Sequence, residues 1–238
     1  MVEWRPMHLL AVCWNQWRTE RELAKRGVLF RTTDPAQVEA AYAAMTDAEF
    51  EAINGRQAWA NWRTIPQALA GRLPKRPLRA IDLGCGTGPS TRVLASLCPP
   101  GSRILGYELA APLARIAGRR MFRGPDGQPQ DVAFVPQGVT ETLRDPAGEP
   151  LAAGSIDLAN ASGVVGHHLT EDTVAPLVAE LARVLAPAGL ALLDVGPTLR
   201  AEALARAMAK AAFFPVNRYR SWFLDPNGQV LFHRVASA

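Results

Sequence analysis

Residues 80–91 read AIDLGCGTGPST: an acid at Asp82, glycines at positions 84, 86 and 88, then Pro89 and two hydroxyls. Glycine lets a backbone turn sharply and approach a ligand closely, because no Cβ stands in the way. Ser90 and Thr91 are the residue types that cap a helix start. A loop of this kind, between a strand end and a helix, cradles a ligand at the carboxyl end of the strand. Glu108 lies twenty positions past Gly88, where a carboxylate accepts both hydroxyls of a ribose. Residues 162–169, SGVVGHHL, set His167 and His168 side by side. Imidazole titrates near neutrality and takes a proton from a hydroxyl or an amine. The plainer alternative, that both rings only pack, stays open.

Two ligand classes compete for the glycine loop. A dinucleotide fingerprint, G-x-G-x-x-G, needs glycine at position 89, and this chain has Pro89 there. Asp82 stands two residues before the first glycine and is expected to face the ligand. A carboxylate there repels a pyrophosphate and attracts an ammonium group. The pattern therefore favours a phosphate-free adenosyl ligand with an amino-acid end, and S-adenosylmethionine is such a molecule.

Elements that could hold these residues in place follow from the hydrophobic pattern. Five short apolar runs alternate with helical stretches: RAIDL, RILGYEL, DVAFV, SIDLAN and LALLDV, with helices expected over 90–97, 111–120 and 171–186. Buried apolar strands alternating with helices predict a parallel sheet covered on both faces. Near the end, RYRSWFL and QVLFHRV flank Asp225-Pro-Asn-Gly228, which predicts an antiparallel hairpin at the sheet edge. Before the sheet, residues 1 to about 72 read as helical. Asp34 and Pro35 open one helix, and Thr46 with Glu49 forms a capping box ahead of another. LPKRPL, residues 73–78, is a proline-punctuated linker. This divides the chain into 1–77, a helical cap on the substrate side, and 78–238, the ligand-binding core.

Bulk properties narrow the function classes. The net charge is +4 over 238 residues, and the arginines are scattered rather than clustered, which argues against a nucleic-acid footprint. Cys13, Cys85 and Cys98 form no CxxC pair and no even framework, as expected for reduced thiols in a cytoplasmic protein. MHLLAVCW, residues 7–14, is too short to span a bilayer. His8 and His233 lack neighbours at metal-ligand spacing, so no metal site is expected.

The chain resembles the class I S-adenosylmethionine-dependent methyltransferases. IDLGCGTGPST resembles the first motif of that family, GYEL the second, VAFVPQGV the third and SIDLANASGVVGHHL the fourth; LAPAGLALL stands in place of the usual L-x-P-G-G turn. The resemblance covers about residues 78–235 and implies an α/β fold, a Rossmann-like seven-stranded sheet whose last strand is antiparallel. It implies S-adenosylmethionine as cofactor, S-adenosylhomocysteine as product, and a cofactor site built from Asp82, Gly84, Cys85, Gly86, Gly88, Ser90, Thr91, Glu108 and Leu109. The backbone of Asn160, Ala161 and Ser162 is expected to line the methionine half. The family often has an aspartate after the third strand; here Gln137, or the amides around Gly138 and Val139, are the stand-ins. His167 and His168 are the candidate bases. Tyr42, Trp59, Trp62 and Arg63 are the candidate substrate contacts, since Trp59 and Trp62 share a helix face, with Arg56 and Gln57 as further polar tips nearby; the alternative is that both tryptophans are core. Phe213 and Phe214 fall in a segment expected to form a helix. The acceptor expected is a small molecule methylated on O or N, by a monomer or homodimer. The alternatives are methylation of RNA or protein, and S-adenosylmethionine binding without methylation.

Overall fold

The computed structural model describes residues 6–221 and 228–235. Helices α1 (Pro6–Lys25), α2 (Pro35–Ala43), α3 (Asp47–Ile53) and α4 (Gly55–Leu69) come first. The starts of α2 and α3 follow from local chemistry. The Asp34 carboxylate accepts from the Ala36 N–H at 3.0 Å with Pro35 in the first turn. Thr46 and Glu49 close both halves of the capping box, at 3.3 and 2.9 Å.

A seven-stranded sheet follows, made of β1 (Arg79–Leu83), β2 (Arg103–Glu108), β3 (Asp131–Pro136), β4 (Ile156–Ala161), β5 (Leu185–Val195), β6 (Phe213–Tyr219) and β7 (Gly228–Arg234). Its order is β3-β2-β1-β4-β5-β7-β6, with β7 antiparallel to both neighbours and the other paired strands parallel. Helices α5 (Pro89–Leu97), α6 (Ala111–Gly118), α8 (Ala175–Val184) and α9 (Ala201–Ala209) connect the strands, and a single short turn, α7 (Val165–His168), leaves β4.

Three of the expected elements shift. The helix read over 171–186 begins at Ala175, and Leu185 already belongs to β5. The first hairpin strand, expected over 218–224, is β6 at 213–219, so Phe213 and Phe214 sit on a strand and not on a helix. Phe213 is buried and Phe214 is half exposed. The pleat explains this, since alternate side chains along a strand face opposite sides. The expected turn at 225–228 lies mostly outside the described residues.

Strand alternation also divides the core. Ile81, Leu83, Ala159, Ala161, Leu193 and Phe232 pack on one face with Leu177 and Leu181 of α8 and Leu204 of α9. Ala80, Leu158, Leu192 and Leu231 pack on the other with Ile65 of α4 and Val93 and Leu94 of α5. Burying each such leucine or isoleucine contributes about 1.5–3 kcal/mol. The second face becomes polar toward one end of the sheet: Asp82 continues the row of Ala80, Asn160 that of Leu158, Asp194 that of Leu192, and Gln229 that of Leu231. Asp82 pairs with Asn160 across the strands, and Asp194 with Gln229. A third, smaller cluster fastens the N-terminal helices to the sheet layer, with Leu23, Phe50 and Ile53 against Ala110 and Leu113.

Candidate functional site

The glycine loop takes the backbone path that its composition predicts. Gly84, Gly86 and Gly88 all have positive φ, at 62°, 55° and 92°, a region in which L side chains are strained. Space is as tight as the torsion. A Cβ on Gly84 would overlap Val164, and one on Gly86 would stand 2.5 Å from the Phe50 ring. Gly88 forms the N-cap of α5, with Pro89 in the first turn.

Asp82 does different work from the one expected. Pleat alternation turns it under α5 rather than toward a ligand, and it is fully buried. One carboxylate oxygen accepts from the Ser90 hydroxyl at 2.7 Å and the Thr91 hydroxyl at 2.6 Å, and the other accepts from the Asn160 amide at 2.7 Å. Burial pushes the Asp82 carboxyl up from its ordinary range, and these donors pull against that. Gln229 extends the network: its amide N–H donates to Asn160 Oδ1 at 3.1 Å and to the Ser162 hydroxyl at 2.8 Å, and its carbonyl accepts from Thr64 at 2.7 Å. Asp82, Ser90, Thr91, Asn160 and Ser162 thus hold the loop from below. Ala161 and Cys85 are buried there too, and burial raises the Cys85 thiol well above its usual range.

Above the loop lies a slot of about 130 Å³, whose wall includes Gly84, Glu108, Leu109, Gly138, Val139 and Glu141. Glu108 is aimed by two backbone donors, Gly86 N–H and Ala110 N–H, both at 2.9 Å. Burial raises its pKa, while those two donors favour the charged form. Gln137 does not reach this slot. Its amide N–H donates to the Thr142 carbonyl at 2.7 Å and its oxygen accepts from Arg144 N–H at 3.2 Å, which turns the side chain into the following loop.

Beside the slot is a chamber of about 630 Å³, bounded by Phe30, Arg31, Arg56, Gln57, Gly163, His167 and Thr198 among others. Tyr42 and His168 line both spaces and form the wall between them. His168 Nδ1 lies 2.9 Å from the Thr32 carbonyl, and Nε2 lies 3.1 Å from the Tyr42 hydroxyl. A carbonyl only accepts, so Nδ1 carries the proton and Nε2 accepts from Tyr42. Burial lowers the His168 pKa, which keeps the ring neutral. Burial and the nearby Glu108 raise the Tyr42 pKa, so its hydroxyl stays a donor. His167 differs: it faces the chamber and forms no side-chain hydrogen bond to another described residue.

The histidine turn is set by a residue that the sequence reading missed. Asp194, at the end of β5, accepts from Val164 N–H at 3.1 Å, Val165 N–H at 3.0 Å and Gly166 N–H at 2.9 Å. Thr198 donates its hydroxyl to the Gly166 carbonyl at 2.8 Å. Gly166 lies against the Val195–Gly196 backbone too closely for any Cβ. An acid at the end of a strand was the visible signal for Asp194; Gln229 and Thr64 gave none, because their partners are 67–165 residues away.

Of the four candidate substrate contacts Tyr42, Trp59, Trp62 and Arg63, Tyr42 alone reaches the chamber, and the polar tips Arg56 and Gln57 reach it too. Trp59 is buried with the Arg63 guanidinium stacked 4.0 Å from its ring centre, and Trp62 is 39% exposed. The two tryptophans share a helix, but that helix presents Arg56 and Gln57 to the chamber. Among the described residues no three His, Cys, Asp or Glu side chains group to hold a metal ion, and no helix is long and apolar enough to cross a membrane.

Known proteins share parts of this sequence and this fold. Residues 80–189 match the family model described as a methyltransferase domain. An uncharacterized 37.1 kDa protein from a transposon of Streptomyces fradiae is 32% identical over 128 residues, a match spanning 53% of this chain and 33% of that protein. The chain therefore spans about a third of that relative's length. Two solved structures share the fold. One is a chain from the complex of the Trm112 methyltransferase activator with its methyltransferase partner in Haloferax volcanii, with TM-score 0.61, 15% identity, and coverage of 82% of this chain and 97% of that one. The other is magnesium protoporphyrin IX methyltransferase from Synechocystis PCC 6803 with bound S-adenosylhomocysteine, with TM-score 0.60, 15% identity, and coverage of 84% and 100%. The cofactor of this class is S-adenosylmethionine. The residues present fit it: a positive-φ glycine turn at the end of β1, next to an apolar-walled slot with a buried, aimed carboxylate.

Proposed function

We propose, from the premise that residues 80–189 are a methyltransferase domain of the S-adenosylmethionine-dependent class I type, that this chain methylates a small-molecule acceptor on oxygen or nitrogen. The observation that carries the reading is the pair of adjoining spaces, slot and chamber, that share the Tyr42–His168 wall. Glu108 takes the ribose hydroxyls, and Leu109, Gly138 and Val139 enclose the adenine. The cofactor, when bound, supplies a sulfonium-activated methyl group and leaves as S-adenosylhomocysteine.

The remaining work belongs to the protein. The chamber holds the acceptor in line, and positioning of this kind contributes on the order of 7–11 kcal/mol. The segment between α1 and α2, together with Tyr42, Ile53 and the first turn of α4, walls the chamber and limits water around the acceptor. His167 takes the proton of an acceptor that arrives protonated. His168 is a positioning residue, because its Nε2 lone pair is engaged by Tyr42.

The test is transfer of labelled methyl from S-adenosylmethionine to a panel of phenols, hydroxy acids and amines, with transfer RNA and histone included as macromolecular acceptors. Labelling of small acceptors only is the expected result. Labelling of RNA or histone alone would replace this reading with the macromolecular one, and tight cofactor binding without any labelling would leave a binding protein. For the base, His167→Gln is expected to slow transfer about 100-fold at neutral pH, and an unchanged rate from pH 6 to 9 would return His167 to packing.

A further inference from the structure

We infer that the chamber takes an acceptor that carries an anionic group, a carboxylate on a flat ring system, with Arg31 and Arg56 as its receptors. The inference rests on the methyltransferase reading and names the substrate class of the same site. The chamber wall holds two guanidinium groups and no carboxylate, and four flat rings, Phe30, Tyr42, His167 and His168, stand around it. Arg56 has no ion-pair or hydrogen-bond partner among the described residues. Arg31 gives one nitrogen to Glu20, at 2.7 Å, and its guanidinium carbon lies 5.8 Å from the Phe30 ring centre. Glu20 is not part of the wall and takes one Arg31 nitrogen, so Arg31 lines the chamber with its other N–H donors unclaimed by Glu20. A planar guanidinium binds a carboxylate through two parallel N–H donors.

The backbone adds to this field. The first turn of α4 belongs to the same wall through Asn54, Arg56 and Gln57. Asn54, the N-cap residue, spends its amide on the Phe50 carbonyl at 2.9 Å and makes no cap. Helix amides left without a side-chain acceptor favour an anion nearby. The adjoining slot is opposite in sign, with Glu108 and Glu141 and no arginine or lysine. A cation at the cofactor end and an anion at the acceptor end would each meet complementary charge. A volume of about 630 Å³ suits one or two fused rings with their substituents.

The experiment is calorimetry on full-length protein saturated with S-adenosylhomocysteine. The probes are a matched pair, 6-hydroxy-2-naphthoate and its neutral amide, 6-hydroxy-2-naphthamide. The carboxylate is expected to bind at least about 10-fold more tightly than the amide. Arg56→Gln and Arg31→Gln should each reduce that ratio, and the double variant should abolish it, with amide affinity unchanged within about 3-fold. S-adenosylhomocysteine affinity, measured first in every variant, confirms that each is folded. Equal affinity for the two probes, an anion preference that survives in the double variant, or no binding of either probe to cofactor-loaded protein would overturn the anionic-acceptor assignment and leave the methyltransferase reading standing. Failure of the unmodified protein to bind S-adenosylhomocysteine would overturn both.

Discussion

The slot and the chamber touch, share Thr33, Tyr42 and His168, and draw their charged groups from different parts of the chain. The slot's carboxylates come from the sheet side: Glu108 ends β2, and Glu141 lies in the loop after β3 with Gly138 and Val139. The chamber's charge comes from the N-terminal cap, Arg31 before α2 and Arg56 in α4, with His167 the sheet side's titratable contribution beside the shared His168. One is small and acidic, the other large and basic. The difference teaches that, under the proposed function, the sheet supplies the carboxylate for the methyl donor and the N-terminal helices supply the charge that faces the acceptor.

Removing the acid should break this division most severely. Glu108→Ala strips the slot of its buried carboxylate and leaves the N–H groups of Gly86 and Ala110 without their acceptor. Affinity for S-adenosylhomocysteine is expected to fall about 100-fold by calorimetry, since buried hydrogen bonds to a charged group are worth about 1.5–3 kcal/mol. Affinity within 3-fold of the unmodified protein would remove Glu108 from the cofactor site.

Asp194→Ala acts on the chamber side. Three backbone N–H groups lose their acceptor, which should cost about 2 kcal/mol of stability in urea unfolding. Methyl transfer should fall while S-adenosylhomocysteine affinity holds. A parallel loss of both would mean that the two spaces are not separable.

The shared wall is the next place to press. Tyr42→Phe leaves His168 Nε2 without a donor and should cost about 1 kcal/mol. His168 also predicts a pH dependence. Burial depresses its folded-state pKa below the ordinary 6.5, so below that pH the unfolded chain binds more protons than the folded one. Its contribution to stability is present above pH 6.5 and is lost as pH falls through the depressed value. Urea midpoints measured from pH 8 down to pH 5 should therefore decline less in His168→Gln than in the unmodified protein. Equal declines would assign the acid sensitivity to other groups.

Trp62→Ala should change least. The side chain lies outside both spaces and is 39% exposed, so stability should move by no more than about 0.5 kcal/mol and methyl transfer not at all. A lost activity would return Trp62 to the acceptor site.

The same division governs what could be read from sequence. The glycine loop and Glu108 are legible because short-range rules fix them: positive φ, the helix start and the strand end lie within about 25 residues. The capping box at Thr46 was legible for the same reason. Asp82 shows the limit. Its type and place were right for a ligand contact, but strand alternation turned it under α5, where Ser90, Thr91 and Asn160 satisfy it. Gln137 was similarly drawn away by its own loop. Arg31 was not distinguishable from other surface arginines, because its meaning depends on how the cap docks, whereas Arg56 and Gln57 were legible as polar tips beside the tryptophans. Trp59 and Trp62 did share a helical face, but periodicity does not say which neighbour that face meets.

The segment from Glu108 to Leu113 has a double duty. Glu108 fixes the Ala110 N–H, and Ala110 and Leu113 are the seat on which Phe50 and Ile53 rest. A chimaera that exchanged residues 1–72 for those of another protein would keep this seat only if the six-residue ribbon travelled with them. The natural splice point for such grafting is therefore not the proline linker alone but the linker together with the end of β2.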